Sequence, residues 1–238
     1  MDNATYTTLT RQSGLMREMR NVANNIANAS TTGFRAEGLI FSEYVSALGP
    51  GTPSLSMATA NVRDTVMTQG TLAQTGGPFD LAIEGDGFFL IETPQGQRLT
   101  RAGSFTPNAD GDLVTPDGYR VLDAGGAPVF VPQGVGNIGI APDGTISADG
   151  APIGQVGLVT PTDPGAMIRE DGVRFRADAG FGPAEGGRIV QGFLEGSNVD
   201  PVLQIARMIE VQRAYELGQS FMDKEDERIR SVIAAVGR

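Results

Sequence analysis

The stretch NVANNIANASTTGF, residues 21–34, combines a helical apolar pattern with an excess of asparagine. The apolar residues that lead into it recur at the spacing of one helical face: Leu15, Met19, Val22, Ile26 and Ala29. Asparagine is a poor helix former, because its amide competes with the backbone for hydrogen bonds. The stretch therefore indicates either a helix face that packs against neighbouring molecules or a frayed helix end. The amides belong to Asn21, Asn24, Asn25 and Asn28.

A second helical pattern occupies the other end of the chain. Asp200 can cap a helix with its carboxylate, and Pro201 suits the first helical position because its φ is already set. From there apolar residues keep spacings of three and four up to Val236, although Gly218 and Glu225 interrupt one stripe. A continuous helix would be about 54 Å long. It needs another long helix as its partner, and the pattern over residues 5–29 is the candidate.

Between the two helical patterns, short apolar runs alternate with turn signals. Asp-Gly suits the two-residue hairpin turn, whose central positions need positive φ, so this part predicts a compact antiparallel β domain. The preceding residues, 36–77, show no clear period and predict an extended arm. The Asp-Gly pairs begin at Asp86, Asp110, Asp117, Asp143, Asp149 and Asp171.

These patterns predict an α+β protein. We expect the long N- and C-terminal helices to pack together as a discontinuous helical domain, residues 1–35 and 191–238, with an arm over 36–77 and a mainly antiparallel β domain over 78–190. A solvated helix face normally carries Glu, Lys and Arg, whereas residues 21–28 carry uncharged amides. Amides cost less to desolvate than charges, which suits a face packed against identical neighbours.

The residue types that are missing exclude several functions. There is no His and no Cys, so the usual general base, the thiol nucleophile, and imidazole or thiolate metal sites are excluded. The formal charge of -10 argues against nucleic acid or an anionic membrane as partner. No window has the length of a membrane span, and residues 1–30 lack a basic region followed by an apolar run. We expect no cofactor, no membrane insertion and, outside the cytoplasm, export without a cleaved signal peptide.

A calcium loop is one chemical alternative. Residues 106–117 place Asn108, Asp110 and Gly111 near the third, fifth and sixth positions of such a loop, but its first and last positions match poorly. Plain hairpin turns explain the same residues better, because Asp-Gly is a strong hairpin signal. We expect no metal site.

A catalytic site is the other chemical alternative. Glu84 and Asp86, beside Phe88 and Phe89, could be the paired carboxylates of an enzyme that cleaves peptidoglycan. The run Glu84-Gly85-Asp86-Gly87 is interpreted more simply as a turn, so we expect no catalytic residue. A self-contained binding module remains open, and a stable monomer with ordered ends would favour it.

Three separated motifs resemble those of the bacterial flagellar rod and hook proteins. The first ends the N-terminal helix, the second lies in the β domain in two runs, and the third opens the C-terminal helix, in the order expected for that family. They are VANNIANASTTGF (22–34), FDLAIEGDGFFLI (79–91) with TRAGSFTPNADGDLVTPDGYRVL (100–122), and LEGSNVDPVLQIARMIEVQRAYELGQSFM (194–222). The start of the chain and its short length are most similar to the proximal-rod members, with the distal-rod members as the alternative.

The resemblance implies a structural subunit of the flagellar basal-body rod. Such a subunit would polymerise helically with copies of itself and with other rod proteins into a hollow shaft that crosses the periplasm and transmits torque. It would leave the cell through the flagellar type III export apparatus without cleavage of a signal peptide.

The same resemblance suggests roles for particular residues. Gly33 would set the turn out of the first helix, Phe34 would anchor it, and Asp200 and Pro201 would start the second helix. Replacing Asn25 with Asp would leave the monomer folded and weaken assembly, because a charge would be buried without a partner. The expected subunit-packing residues are Asn21, Val22, Asn24, Asn25, Ile26, Asn28, Ile205, Ile209, Val211 and Tyr215.

Overall fold

The chain has the predicted α+β fold, with a helix near each end packed against the other and an antiparallel β domain in the middle. The computed structural model describes residues 2–46 and 55–236, which form two compact units. The β unit consists of residues 28–36 and 67–199. The helical unit consists of residues 2–27, 37–46, 55–66 and 200–236.

The two helices are α1 (Asp2–Ala27) and α2 (Pro201–Val236). At the start of α2 the Oδ1 atom of Asp200 accepts hydrogen bonds from the backbone N–H groups of Val202 and Leu203, at 2.9 and 3.1 Å. Pro201 takes the first helical position, where no N–H is needed. α2 is unbroken over its 36 residues. Among the residues that the structure describes, neither helix combines the length and apolar content that crossing a membrane requires.

A β-hairpin completes the helical unit. Strand β1 (Glu37–Ser46) pairs antiparallel with β2 (Leu55–Thr65), with an irregular register between Ile40 and Phe41, and both strands contact α1. The sequence suggested an extended arm over 36–77. Most of its described residues are extended, but they pair with each other, which a stretch without alternating polarity did not indicate. Residues 47–54 of that arm lie outside the described residues, as do 1 and 237–238 of the predicted helical domain.

The β unit is made of short strands that pair antiparallel. Its largest sheet runs in the order β14-β15-β6-β5-β9-β8-β7, with β13 joined to β5 and to β16. A second sheet contains β10, β11 and β12, while β4 pairs with β17 and β3 with β18. The strands are β3 (Leu72–Gln74), β4 (Leu81–Glu84), β5 (Phe88–Thr93), β6 (Gly96–Thr100), β7 (Thr106–Pro107), β8 (Leu113–Val114), β9 (Arg120–Leu122), β10 (Ile138–Ile140), β11 (Thr145–Ala148), β12 (Ala151–Gln155), β13 (Leu158–Pro161), β14 (Ile168–Asp171), β15 (Arg174–Arg176), β16 (Phe181–Pro183), β17 (Arg188–Gln191) and β18 (Phe193–Glu195).

Two apolar clusters form the core of the β unit, and strand β5 contributes to both. Phe89 lies in the larger cluster, edge-on to Phe105 with ring centroids 5.2 Å apart. Its neighbour Phe88 lies in the smaller cluster, edge-on to Phe175 at 5.8 Å. Successive side chains of a strand point to opposite faces, so the continuous apolar run of β5 marks a strand that is buried on both sides.

Five of the six Asp-Gly pairs close hairpins between strands that pair with each other. The exception is Asp86-Gly87, which connects β4 and β5, two strands that belong to different sheets. Among the described non-glycine residues, only Asp149 has positive φ, at 50°, so Asp149-Gly150 has the predicted turn with two positive φ values. The other hairpin turns use positive φ at the glycine alone.

Candidate subunit-packing surface

Helices α1 and α2 run antiparallel and are held in register by three polar pairs. A side-chain amide donates to a backbone carbonyl at 2.9 Å, a guanidinium donates to a carboxylate at 2.6 Å, and two amides lie 3.4 Å apart. Residue numbers rise along α1 as they fall along α2, so the three pairs define one alignment. In that order they are Gln12–Tyr215, Glu18–Arg207 and Asn25–Gln204.

A narrow apolar seam lies between these polar pairs. Val22 of α1 and Val211 of α2 are almost fully buried. On α2, buried or half-buried residues recur at alternating intervals of three and four, which is the spacing of a coiled-coil seam. These seam residues are Gln204, Met208, Val211, Tyr215, Gly218, Met222 and Glu225.

The amide of Asn25 is used inside the chain. This side chain is 1% exposed, its Nδ2 donates to the backbone oxygen of Glu37 at 2.8 Å, and its Oδ1 accepts from the Glu37 N–H at 3.0 Å. The amide therefore bonds to the first residue of β1 as a neighbouring strand would. A helical asparagine here ties α1 to the hairpin of the same unit.

The other asparagines of the opening stretch have different surroundings. Asn21 is half-buried, and its Oδ1 has no hydrogen-bond partner among the described residues. Asn24 is exposed. Asn28 follows the end of α1, where its Oδ1 accepts a hydrogen bond from the Thr31 hydroxyl at 3.1 Å. The four residues thus do not form one uniform face, and packing of this stretch against neighbouring molecules stays a prediction.

The expected packing residues of α2 separate into two faces. Val211 and Tyr215 lie in the seam with α1. Ile205 and Ile209 point away from α1 and are 51% and 44% exposed. Together with Val202, which is 75% exposed, they form a row at spacings of three and four that we call the N-terminal stripe. For Ile26 and Ile209 the sequence leaves open burial within the chain's own helix pair or a contact with another subunit; in the structure Ile26 is half-buried, whereas Ile209 remains 44% exposed.

Ion pairs border these faces. The hydrogen bond from Arg207 to Glu18 raises the pKa of the Arg207 guanidinium above its ordinary value, and Glu210 adds to this effect. Near the far end of α2, a hydrogen bond from Arg228 lowers the pKa of Glu225. Both groups therefore keep their charges at neutral pH and are paired within the chain.

Gly33 and Phe34, the predicted turn and anchor after the first helix, lie in the β unit. Gly33 has φ of 69°, and its N–H donates to the backbone oxygen of Glu195 at 2.7 Å. Phe34 is fully buried with Val199 in a small apolar cluster, and the guanidinium of Arg169 lies over its ring at 4.6 Å. The segment that follows α1 in the chain is therefore held by the β unit through backbone and side chain alike.

A buried charge cluster in the β unit was missed by the sequence analysis. Glu195 is fully buried and accepts hydrogen bonds from Arg35 at 2.5 Å, from Arg101 at 3.2 Å and from the Gly70 N–H at 2.8 Å. Burial lowers the pKa of Arg101 below its ordinary value, and Glu195 opposes that shift. One carboxylate thus connects three distant chain segments to its own. The available signal was a charged residue inside or at the end of a short apolar run, as in Phe34-Arg35-Ala36 and Phe193-Leu194-Glu195.

Glu84 and Asp86, the two carboxylates considered for catalysis, have the surroundings of structural surface residues. Glu84 Oε2 accepts from Arg188 at 2.7 Å in an exposed ion pair between β4 and β17. Asp86 is exposed in the turn that follows. Neither has the apolar, water-excluded setting that a general acid requires.

The residues considered as a calcium loop form a hairpin turn. Asn108 Oδ1 accepts hydrogen bonds from the backbone N–H groups of Asp110 and Asp112, both at 2.9 Å. That side-chain oxygen closes the hairpin between β7 and β8. Across residues 2–46 and 55–236, the structure brings together no group of three or more acidic side chains that could hold a metal ion.

Three family models match successive parts of the chain. The model described as "Flagella basal body rod protein" matches residues 8–35, which include most of α1 and the turn after it. The model described as "Flagellar hook protein FlgE/F/G D1 domain" matches residues 82–148 in the β unit. The model described as "Flagellar basal body rod FlgEFG protein C-terminal" matches residues 190–235, which include nearly all of α2.

Curated relatives match over the full length. The flagellar basal-body rod protein FlgF of Caulobacter vibrioides is 40% identical, over 100% of this chain and 99% of the relative. The FlgF protein of Mesorhizobium japonicum is 38% identical over 98% of both chains. The flagellar basal-body rod protein FlgG of Bacillus subtilis is 33% identical, over 89% of this chain and 90% of the relative. The likeness therefore includes helices and β unit together.

Proposed function

The chain belongs to the flagellar basal-body rod protein family and is a structural subunit of the rod, and we propose that it assembles through the outer face of its helical unit. Its relatives carry the names of rod proteins, and the family models cover both helices and part of the β unit. The partners are other rod and axial proteins of the basal body.

The N-terminal stripe is the observation that supports this proposal most directly. Val202, Ile205 and Ile209 are large apolar residues on the side of α2 that α1 does not cover. Fully burying such a side chain contributes about 1.5 to 3 kcal/mol, and the part of it that corresponds to the exposed 75%, 51% and 44% of these residues remains to be gained. A helix that only faced water would carry polar residues there, so the stripe indicates a further protein partner.

Helical polymerisation explains why such a stripe is useful. Long helices packed side by side resist shear, because slip would have to break many contacts together in a close-packed interface. A tube lined by such helices could transmit torque. The asparagines of α1 support the same proposal in part, since exposed Asn24 offers an uncharged group that is less costly to bury than a carboxylate.

We extend the proposal to the position of the chain in the rod and to its export route. Similarity to proteins named FlgF over the whole chain supports a place in the proximal rod, with the distal rod as the alternative. Rod subunits would cross the inner membrane through the flagellar type III apparatus without cleavage of a signal peptide and would act in the periplasm. A purely mechanical role without catalysis agrees with the ion-paired surroundings of Glu84.

The test is complementation of a strain that lacks the gene. We expect that strain to be non-motile and to have incomplete basal bodies. The chain carrying Ile209→Leu should restore motility, because the apolar stripe is kept. The Ile209→Asp chain should not restore it, because burying an unpaired carboxylate is strongly unfavourable.

Two measurements make this test decisive. Circular dichroism of the purified variants should show the same helix content for both, because Ile209 is 44% exposed in the chain. Mass spectrometry of isolated basal bodies should detect the wild-type chain and Ile209→Leu. A motile deletion strain, or basal bodies without the chain, would overturn the proposed function.

A further inference from the structure

The chain passes four times between its two units, after residues 27, 36, 66 and 199. The β unit therefore joins the helical unit through three of its own segments, which are residues 28–36 and the two ends of the stretch 67–199. We take these ends as 67–71 and 195–199 and call all three the junction segments. A force carried along the chain enters the β unit through them, so their bonds to one another decide how that force is distributed.

The junction segment 195–199 is bonded to both of the others through its backbone. Gly33 of the first segment donates its N–H to the Glu195 oxygen at 2.7 Å. Gly196 donates its N–H to the oxygen of Thr71, in the second segment, at 2.8 Å. Backbone bonds alone thus place 195–199 in contact with the two segments that precede it in the chain.

The Glu195 side chain adds a second bond to each neighbouring segment. Its Oε1 atom accepts from the Arg35 guanidinium at 2.5 Å and from the Gly70 N–H at 2.8 Å, in a fully buried position. A Cβ atom at Gly70 would lie 2.1 Å from the backbone oxygen of Gly196, so the two backbones touch. One carboxylate oxygen therefore serves two junction segments, and the loss of either removes a hydrogen bond from a buried charge.

The side-chain amide of Asn198 repeats this arrangement three residues further on. Its Oδ1 accepts the N–H of Ala36 at 2.6 Å, and its Nδ2 donates to the backbone oxygen of Thr68 at 2.8 Å. An amide carries an acceptor and a donor on one short planar group, whereas a carboxylate only accepts. Asparagine therefore bonds to an N–H of one neighbouring segment and to a carbonyl of the other.

We propose that Glu195 and Asn198 hold the three junction segments together as one cooperative element, which opens as a whole and shares mechanical load among its segments. The load sharing rests on the proposed function, which places the chain in a shaft that transmits torque. The cooperative opening does not depend on that function, because all of these bonds lie within the β unit of one chain.

Cooperative opening follows from the partners that the segments share. Releasing 28–36 alone would take Arg35 from the buried Glu195 carboxylate, and releasing 67–71 alone would take the Gly70 N–H from the same atom. Breaking a buried charge pair by removing one partner is strongly unfavourable. Hydrogen bonds that share a partner also strengthen one another. A pull on one segment is therefore opposed by the bonds to the others.

Amide hydrogen exchange of the purified full-length chain, resolved by NMR, tests this coupling. The N–H groups of Gly33 and Gly196 bond to backbone oxygens and not to the Asn198 side chain, so they report on movement of their segments. In Asn198→Ala we expect both to exchange about tenfold faster, whereas amides of β5 and β6 keep their rates. Asn198→Asp, which keeps the acceptor for Ala36 and loses the donor to Thr68, should accelerate Gly33 and Gly196 by one common, smaller factor.

Gln191→Ala is the matched control. The Gln191 amide also lies in the β unit, accepts the Ile140 N–H at 3.0 Å and donates to the Pro78 oxygen at 2.9 Å, but these partners lie outside the junction segments. This variant should leave exchange at Gly33 and Gly196 unchanged. Acceleration of both amides together in the Asn198 variants supports the proposal. Acceleration of only one of them, of neither, or of β5 and β6 by the same factor overturns it.

Swimming of complemented deletion cells in media of increasing viscosity tests the load sharing. Cells with Asn198→Ala should slow more steeply than cells with Gln191→Ala, while both chains are present in isolated basal bodies. Equal speeds at every viscosity would overturn the load sharing. A motile deletion strain would instead overturn the proposed function and leave the exchange result as it stands, so the two failures are distinguishable.

Discussion

The amide of Gln12 occupies the space that a side chain at Gly218 would need. A Cβ atom at position 218 would lie 2.4 Å from Gln12 Nε2, while that nitrogen donates to the backbone oxygen of Tyr215 at 2.9 Å. Gly218 therefore makes a notch in α2 through which a polar group of α1 reaches the helix backbone. A groove of about 400 Å³ adjoins the notch, lined by residues of both helices that include Leu15 and Phe221.

The notch predicts an energetic coupling between Gln12 and Gly218. Gly218→Ala alone should change the free energy of unfolding little, because a gain of about 1 kcal/mol in helix propensity is offset by displacing the Gln12 amide from its hydrogen bond. In a Gln12→Ala background the same substitution should stabilise by about 1 kcal/mol. Urea unfolding of the four chains, followed by circular dichroism, measures the coupling. Equal effects of Gly218→Ala in both backgrounds would show that the Gln12 amide does not depend on the space left by Gly218.

Glu195 should be the most costly carboxylate to neutralise in the β unit. In Glu195→Gln the guanidinium groups of Arg35 and Arg101 lose their buried counter-charge, so we expect a loss of about 3 to 5 kcal/mol. The control is Glu84→Gln in the exposed pair with Arg188, which should cost at most about 1 kcal/mol. Urea unfolding of both variants compares them. Similar losses would mean that the buried cluster contributes no more than a surface pair.

Asn25→Asp should destabilise the helical unit itself. The sequence predicted a folded monomer with weaker assembly, but the structure has the Asn25 amide donating to the Glu37 carbonyl in a buried setting. An aspartate would place a carboxylate against that carbonyl oxygen, so we expect a loss of about 3 kcal/mol or more. Asn24→Asp at the exposed neighbouring position should stay within about 0.5 kcal/mol. Thermal unfolding of both variants checks the difference, and equal transition temperatures would contradict it.

Local signals were readable from the sequence because their causes are local. Asp200 and Pro201 start α2, since capping and a fixed φ depend on adjacent residues. Asp-Gly correctly indicated the turns, yet Asp86-Gly87 separates strands of different sheets. Which strands pair is decided by packing across the domain, and a dipeptide carries no information about that.

The sequence predicted which helices form the candidate surface, but it did not predict which residues lie on which face of a helix. Apolar spacing on α2 identified Val211, Tyr215, Ile205 and Ile209, but it did not say which pair would meet α1. The sequence interpretation treated Gly218 as an interruption of the apolar spacing on α2, whereas in the structure this glycine leaves room for the side chain of Gln12 from α1. Such roles depend on residues two hundred positions apart in the chain, as with Gln12 and Tyr215.

Acid should weaken the β unit partly through Glu170. Hydrogen bonds from Arg98, with a contribution from Arg176, hold the pKa of Glu170 below its ordinary value of 4.5. A lowered folded-state pKa gives stability that is fully present above the ordinary pKa and is lost as pH falls through the folded-state value. Glu170→Gln should therefore flatten the fall in unfolding free energy between pH 6 and pH 3. Exposed Glu185→Gln is the control, and equal slopes in the two variants would contradict the assignment.

Substitutions of Gly33 and Gly118 separate backbone strain from steric clash. Both glycines have positive φ, 69° and 84°, which a residue with a Cβ adopts at a cost of about 1 to 2 kcal/mol. A Cβ at Gly118 would meet nothing within 4 Å, whereas one at Gly33 would lie 2.3 Å from the backbone nitrogen of Ala102. Gly118→Ala should show the conformational cost alone.

Gly33→Ala should lose about 4 kcal/mol or more, because backbone atoms cannot move aside as a flexible side chain can. Unfolding free energies of the two alanine variants test this difference. If both variants lose the same unfolding free energy, the segment after α1 can move away from Ala102. The hydrogen bond from Gly33 to Glu195 then does not hold that segment in place. If only Gly33→Ala loses this much, glycine is required there by the close approach of the Arg101 and Ala102 backbone, in addition to the turn that its φ allows.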